Sequence, residues 1–306
     1  MTQLLPKVSA VVPVFNAEGT LRRAVDSLLI QPEIDQIILV EDGSRDNSLS
    51  ICQQLVREHF QITLLQHPKG ANKGAPASRN LGLSQVKNSW IQFMDADDEL
   101  LPGKIKAQLA SLTGNESLVI SPYTLLNETR KVIPTMQDLW AGLIRMRLGI
   151  SSANLWHTES VLAAGAWNES LLNVQEYHLM FEMLKRNQTV GFSNQNLTLI
   201  HQLPNSITRS TDRLDEKRDT YFRFRQMVKE YLESSGKLNF LRWHHYTVAM
   251  GEMLRYHQPS FKVSYSKSYY RIIQNIRWVK GGGNEIKSLF QLRRLSREKE
   301  LKTQEN

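Results

Sequence analysis

Short apolar runs alternate with segments of helical spacing over the first hundred residues. Runs rich in β-branched and apolar residues, typical of buried strands, occur at Val8–Val14, Gln36–Val40, Ile62–Gln66 and Trp90–Met94. Apolar residues three and four positions apart predict helices between them, at Ala17–Ile30, Ser44–Phe60 and Gly74–Val86. This order of elements predicts an α/β fold built on a doubly wound, mostly parallel sheet.

Polar residues follow three of the four predicted strands. Asn16 follows the first strand, Asp42 the second, and Asp95 and Asp97 the fourth. In open α/β sheets the carboxyl ends of the parallel strands lie along one edge, which is where ligands bind. We therefore expect these four side chains to lie close together.

The acidic segment after the fourth strand carries the strongest chemical signal. Asp95, Asp97 and Asp98 repel one another, so a native site holds them only if a cation offsets their charge. Carboxylate oxygens suit Mg²⁺ or Mn²⁺, and the segment predicts a metal–diphosphate site. The alternative is an acidic turn that caps a helix beginning near Leu101. Neither GxxxxGK[ST] nor GxGxxG is present, which argues against a P-loop and a dinucleotide-binding site.

Length and composition narrow the classes of protein. A chain of 306 residues forms one large domain or two medium ones. Its single cysteine, Cys52, excludes a disulfide within the chain and suits a reducing cytosol. We expect no signal peptide in residues 1–7 and no transmembrane span. The prediction is a cytoplasmic protein, or one that is peripheral on the inner face of the membrane.

Positive charge is concentrated in the C-terminal third. Residues 205–306 hold 21 Lys/Arg and 11 Asp/Glu, a net of +10, whereas residues 1–204 carry a net of −2. Helical spacing predicts a basic, mainly helical region at 211–306, following a first domain at 1–210. Its apolar stripes either pack on that domain or form a surface for an anionic membrane. The residues that suggest the membrane are Trp278, Lys280, Arg293, Arg294 and Arg297. No nucleic-acid motif is present.

Four segments in this order resemble glycosyltransferase family 2. They are Val11-Val12-Pro13-Val14-Phe15-Asn16, Val40-Glu41-Asp42-Gly43-Ser44, Ala77-Ser78-Arg79-Asn80-Leu81-Gly82 and Asp95-Ala96-Asp97-Asp98. The likeness is strong over about residues 8–110 and looser over 150–210. It implies a GT-A fold with a C-terminal helical region, a nucleotide-diphosphate sugar donor, a divalent metal (Mn²⁺ or Mg²⁺) and inversion at the anomeric carbon. The commonest nucleotide of the family is UDP, and the acceptor would be a carbohydrate or a lipid-linked molecule.

The resemblance implies roles for five residues at the nucleotide sugar. Pro13 and Phe15 would line the base pocket, and Asp42 would accept a hydrogen bond from the base. Arg79 would lie near the phosphates, whose oxygens suit the planar fork of a guanidinium. Asp95 would contact the ribose or the water shell of the metal.

The metal ligands implied by the resemblance are Asp97 and His201, and the histidine could instead reach the diphosphate. Asp98 would complete the site or cap the helix that follows. A phosphatase of the haloacid dehalogenase type also uses Asp-x-Asp after an apolar strand, but it places the pair on the first strand of its core. Here three predicted strands come earlier, which argues against that class.

An inverting transfer needs a general base for the acceptor hydroxyl. Glu176 occupies the position of the family's catalytic aspartate, but the usual Glu-Asp pair is replaced by Gln175-Glu176. His178 is a rival base, and Glu176 could instead only add negative charge to the first turn of a helix. This departure also allows a nucleotide-sugar-binding protein that has lost turnover.

Overall fold

The computed structural model describes residues 5–202 and 213–280. Its strands are β1 (Val8–Val14), β2 (Ile34–Glu41), β3 (Ile62–Gln66), β4 (Trp90–Phe93), β5 (Glu99–Leu100), β6 (Leu118–Ile120), β7 (Tyr123–Leu126), β8 (Arg130–Ile133), β9 (Leu155–His157), β10 (Val190–Phe192) and β11 (Thr198–His201). Its helices are α1 (Leu21–Leu29), α2 (Ser48–Glu58), α3 (Ala75–Leu83), α4 (Lys104–Leu109), α5 (Leu139–Arg145), α6 (Thr158–Ala163), α7 (Gln175–Arg186), α8 (Leu214–Ser234), α9 (Phe240–Met253) and α10 (Lys267–Lys280).

A seven-stranded sheet forms the centre of the fold, with the strand order β10-β6-β9-β4-β1-β2-β3. Only β9 runs antiparallel to its neighbours β4 and β6, so the predicted mostly parallel α/β sheet is confirmed. All four strands predicted from the first hundred residues are present. Strand β1 lies between β2 and β4, which brings the three strands that end in polar residues side by side.

A second sheet of four strands, in the order β5-β11-β7-β8, lies outside the sequence-based expectation. Strand β5 begins directly after the acidic turn and pairs antiparallel with β11, with Leu199 opposite Glu99. Strands β5 and β11 are far apart in the sequence, so the local pattern of apolar residues does not predict their pairing. It brings the segment that carries His201 next to the acidic turn.

Helices α1 and α2 begin at Leu21 and Ser48, later than the apolar spacing predicts. The residues before them form a cross-linked pair of loops instead. The side chain of Asn16 accepts a hydrogen bond from the backbone N–H of Arg45 at 2.8 Å, and the Ser48 hydroxyl accepts one from Ala17 at 2.8 Å. These side-chain bonds to backbone compete with helix formation and keep both loops at the sheet edge.

The C-terminal helices pack in the same hydrophobic core as the first two hundred residues. Phe222 and Val228 of α8 and Met250 of α9 belong to one buried cluster with Trp140 of α5 and Phe181 of α7. The buried apolar residues of α8 and α9 thus pack on the first domain, as one of the two alternatives predicts. The division at residues 210 and 211 remains a proposal about the organisation of the chain. The end of the predicted helical region, at 281–306, lies outside the described residues.

Helix α3 requires glycine where it crosses the sheet. A Cβ atom at Gly82 would lie 2.4 Å from Cγ1 of Val11 and 3.2 Å from Cγ2 of Val40. Gly82→Ala should lower the free energy of unfolding by about 1–2 kcal/mol in urea denaturation, because overpacking outweighs the gain in helix propensity. The control is Gly19→Ala, whose Cβ would meet no atom within 4 Å. Equal stability of the two variants would contradict this packing.

Candidate active site

The carboxyl ends of β1, β2 and β4 form the edge at which the predicted site residues meet. Val14 pairs with Glu41, and the backbone N–H of Asp42 donates to the carbonyl of Val14 at 2.8 Å. Val11 pairs with Phe93 at the end of β4, directly before the acidic turn. The expected convergence of Asn16, Asp42 and the acidic turn at this edge is therefore confirmed by the strand order.

Asp42 holds the loop that follows β3. Its carboxylate accepts hydrogen bonds from the backbone N–H groups of Lys73, at 2.6 Å, and Gly74, at 2.9 Å, and lies 3.5 Å from Nε2 of His67. Gly43 has a φ of 71°, and a Cβ there would lie 2.7 Å from the carbonyl of Gly70, so only glycine fits the close approach. These contacts show that Asp42 stabilises the conformation of the loop at 70–74.

Two apolar residues of β1 and its loop stand beside Asp42 at this edge. Pro13 is buried and pairs with Val40, whereas Phe15 is 39% exposed. An exposed aromatic ring on a loop at a ligand-binding edge offers a flat apolar surface to a planar ligand. Phe15 is therefore available for contact with a nucleotide base.

The carboxylates of the acidic turn lie in different environments. The Asp95 side chain is 42% exposed and Asp97 is half-buried, whereas Asp98 is buried. The Ser152 hydroxyl donates to Asp98 at 2.5 Å and accepts from the backbone N–H of Asp95 at 3.1 Å. The prediction that Asp98 caps the following helix is wrong, since α4 begins at Lys104 after Gly103 and no side chain caps it.

The charge of the acidic turn is incompletely offset. Burial, reinforced by the charge of Asp95, raises the pKa of Asp97 to about 6. Burial, together with the charges of Asp95 and Asp97, also raises the pKa of Asp98 well above its ordinary value. A bound cation would relieve this repulsion, and a set of carboxylate oxygens suits Mg²⁺ or Mn²⁺. The residues of the turn therefore fit a divalent metal.

Arg79 and Asn80 of α3 fix the acidic turn to the segment before α7. Nη2 of Arg79 lies 2.5 Å from Oδ1 of Asp95, and its guanidinium stacks over the ring of Trp167 with 4.5 Å to the centroid. Asn80 bonds to both the backbone N–H and the carbonyl of Trp167. Nη1 of Arg79 also lies 3.4 Å from Oε1 of Gln175. One buried arginine thus links the predicted metal turn to the first residue of α7.

Glu176 lies in the first turn of α7, beside the residues that Arg79 holds. The preceding residue but one, Val174, has a φ of 61°, which is rare for a β-branched side chain and marks local strain at a candidate site. Burial is the main cause of a raised pKa at Glu176, and the nearby charge of Asp95 adds to it, whereas Arg79 opposes it. A carboxylate poised in this way suits a general base.

His178 is directed away from this cluster. Residues two apart on a helix do not share a face. Burial lowers the pKa of His178, and the charges that act on it are those of Glu182 and Lys185, which pair with each other at 2.7 Å on α7. The structure therefore favours Glu176 over His178 as the candidate base.

His201 is close to the acidic turn but has a partner of its own. Its Nε2 lies 3.2 Å from Oε2 of Glu99, and Arg23 lies 4.0 Å from the same oxygen. Arg23 also donates to the backbone carbonyl of Asp97 at 2.7 Å. His201 and Asp97 are thus joined through Glu99 and Arg23.

The described residues contain no group of three or more His, Cys, Asp or Glu side chains gathered as a metal cluster. Within the same ranges, no helix is long and apolar enough to cross a membrane. Ser152 and Trp167 belong to the site, although the sequence does not predict this. No local sequence pattern predicts the role of Ser152, because its hydrogen-bond partner Asp98 lies 54 positions away in the chain.

The strand order, with an acidic turn at the sheet edge and a carboxylate on a neighbouring helix, agrees with a GT-A fold. Residues 9–160 match the family described as glycosyl transferase family 2, and the chain belongs to this family. It is a glycosyltransferase and takes its sugar from a nucleotide sugar.

Relatives and solved structures agree with this class. The chain is 24% identical to the uncharacterized glycosyltransferase YibD of Escherichia coli K12, over 94% of this chain and 92% of YibD. It is 24% identical to chondroitin synthase of Pasteurella multocida over 71% of this chain, but spans only 23% of that enzyme. The fold resembles the S. aureus TarS 1-349 structure in complex with UDP-GlcNAc, with a TM-score of 0.59 and 15% identity, over 81% of each chain.

Proposed function

We propose that this protein is an inverting, metal-assisted glycosyltransferase that moves a sugar from a UDP-linked donor to an acceptor hydroxyl. The observation that carries the proposal is the link through Arg79, which holds the acidic turn and the start of α7 together. In this proposal Asp97, in that turn, faces the leaving diphosphate, and Glu176, at the start of α7, faces the acceptor. The TarS structure with UDP-GlcNAc, although it shares only the fold, supports UDP as the nucleotide to test first.

In this proposal the nucleotide lies along the ends of β1 and β2. Phe15 and Pro13 pack against the base, and Asp42 orders the 70–74 loop beside it and accepts a hydrogen bond from the base through a remaining lone pair. Asp95 contacts the ribose or the water shell of the metal, and Arg79 fixes its orientation.

Asp97 is the proposed metal ligand, with His201 as a second ligand once it leaves Glu99. A divalent Mn²⁺ or Mg²⁺ bound there would neutralise the charge that builds up on the departing diphosphate. Ser152 and Arg23 hold the backbone of the turn, which keeps the Asp97 carboxylate in position. Preorganised charge of this kind supplies a large part of the catalysis in many enzymes.

Glu176 is the proposed general base. Its carboxylate would take the proton of the acceptor hydroxyl as the oxygen attacks the anomeric carbon, on the face opposite the leaving group. Glu176 lies in the first turn of α7, and its side chain is one methylene longer than the family's aspartate.

A thermal-shift screen tests the proposed donor. The protein is heated with UDP, UDP-sugars, GDP or CDP, each with and without Mn²⁺. A ligand that binds only the folded state raises the melting temperature. At a ligand concentration of a hundred times Kd, the free energy of unfolding rises by about 2.7 kcal/mol. We expect the largest rise with UDP compounds in the presence of Mn²⁺. A rise with GDP or CDP alone would contradict the assignment of the nucleotide, and binding without release of UDP would favour a protein that has lost turnover.

We also propose that the chain works in the cytoplasm against an anionic membrane surface, where a lipid-linked acceptor would be met. Phe240, Leu241, Ile272 and Ile276 of α9 and α10 are exposed, and the C-terminal third has a net charge of +10. Arg293, Arg294 and Arg297 lie outside the described residues. Flotation with anionic vesicles at low salt should recover the protein, and recovery equal to that with neutral vesicles would contradict this location.

A further inference from the structure

The turn that joins α5 to β9 of the seven-stranded sheet is fixed against the first residues of α7. Oη of Tyr177 donates to the carbonyl of Gly149 at 2.8 Å and accepts from the backbone N–H of Leu148 at 3.4 Å. The side chain of Asn154 donates to the carbonyl of Leu148 at 2.7 Å. Tyr177 is the neighbour of Glu176 in α7. The two residues that follow Arg147 are therefore held against Tyr177, next to the candidate base.

Arg147 lies in this turn and is half-buried. Within residues 5–202 and 213–280, its guanidinium makes no hydrogen bond or ion pair, although it carries five donors. The nearby arginines are occupied, since Arg79 pairs with Asp95 and Arg145 with Glu252. A partly desolvated guanidinium without an acidic partner is unfavourable unless a ligand supplies one.

The charges of Arg147 and Glu176 both act on the hydroxyl groups of Tyr123 and Tyr177. Burial and the charge of Glu176 raise the pKa of Tyr123 to about 12, while Arg147 opposes this rise. Burial also raises the pKa of Tyr177, with the same opposing contributions from Glu176 and Arg147. The hydroxyl of Tyr123 makes no hydrogen bond to any other described residue. Near the candidate base, therefore, lie a cation and a hydroxyl that have no hydrogen-bond or ion-pair partner among the described residues.

We propose that Arg147, assisted by Tyr123, binds an anionic substituent on the sugar substrate that meets Glu176. The inference rests on the proposed function, since it places a substrate at Glu176. Carboxylate and phosphate both match the bidentate fork of a guanidinium. The anion belongs either to the transferred sugar or to the acceptor, and Arg147 selects it over a neutral analogue.

Two sets of calorimetric titrations distinguish these sources. The donor set compares UDP-glucuronate with UDP-glucose in the presence of Mn²⁺. The acceptor set adds methyl β-glucuronide, methyl β-glucoside or glycerol 3-phosphate to protein saturated with UDP, and again to protein without nucleotide. The wild type is compared with Arg147→Gln, Arg147→Lys and Arg130→Gln. Arg130 is exposed on β8 and provides a control of equal charge change.

We expect the wild type to prefer the anionic probe in one set by about ten- to a hundredfold, the range of a charge-assisted hydrogen bond. Arg147→Gln should remove that preference and bind the neutral probe as the wild type does. Arg147→Lys should retain part of it, and Arg130→Gln all of it. The affinity for UDP should be the same in all four proteins, because the proposal places Arg147 beside the general base Glu176 and away from the diphosphate.

The inference is overturned if neither set shows a preference, or if Arg147→Gln retains it. A loss of UDP affinity in Arg147→Gln would also overturn it, since the residue would then bind the nucleotide. Failure of the proposed function has a different signature: the wild type does not bind UDP or UDP-sugars at all. The titrations without nucleotide still report on Arg147 in that case.

Discussion

Replacing Asp97 by asparagine is expected to lower kcat of Mn²⁺-dependent sugar transfer by about a thousandfold. The cation stabilises the leaving diphosphate, so the loss of one of its ligands raises the activation free energy by several kcal/mol. A rise of ~4 kcal/mol corresponds to a thousandfold lower rate. Asparagine keeps the shape of the side chain. The measurement is the rate of UDP release at saturating donor over a range of Mn²⁺ concentrations.

The fold of this variant should be intact or more stable. In the absence of metal the pKa of Asp97, about 6, lies above the ordinary value of an aspartate, so ionisation at neutral pH opposes folding. Asparagine removes that charge, and the melting temperature without metal should stay equal or rise. Asp26→Asn, an exposed carboxylate on α1, is the control and should retain both activity and stability. Retained activity of Asp97→Asn with an unchanged requirement for Mn²⁺ would contradict the metal assignment.

Glu176→Gln should lower kcat by about 10²- to 10⁴-fold while leaving the affinity for UDP unchanged, because a general base acts only on the acceptor proton. The matched control is His178→Gln, the rival base on another face of α7. We expect His178→Gln to keep most of the activity. Loss of turnover in His178→Gln with retention in Glu176→Gln would reverse the assignment.

The pH profile gives an independent test of the same residue. Glu176 acts as a base only when it is ionised, and burial raises its pKa. Activity should therefore fall with decreasing pH at values above the ordinary glutamate pKa of about 4.3. The ionisable groups that interact with it electrostatically are Arg79, Asp95, Tyr123, Tyr177 and Tyr221. Glu176→Gln should lose this acidic limb and keep only a low, flatter rate.

The first half of the fold was predictable because its information is local. Each of β1 to β4 is a run of apolar residues bounded by polar ones. Asp42 follows β2 directly, and Asp97 comes four positions after the last residue of β4. Strand order then places them at one edge without further information. The family resemblance pointed to Glu176 as the candidate base, since this residue lies at the position of the family's catalytic aspartate.

The contacts that define the site were not predictable in the same way. Ser152 reaches Asp98, and Trp167 lies under the guanidinium of Arg79, across large separations in the chain. The second sheet depends on pairing between two-residue and four-residue strands, which are too short for periodicity to reveal. The role expected of Asp98 as a helix cap failed because burial and Ser152 hold it elsewhere.

A crystal structure of the protein with UDP and Mn²⁺ tests the central claim most directly. The account predicts metal density on the Asp97 carboxylate, the diphosphate beside it, and the base against Phe15 and Asp42. The Glu176 carboxylate should face the open side of the β-phosphate, where the sugar would lie. A nucleotide bound elsewhere, or a metal held without Asp97, would contradict it.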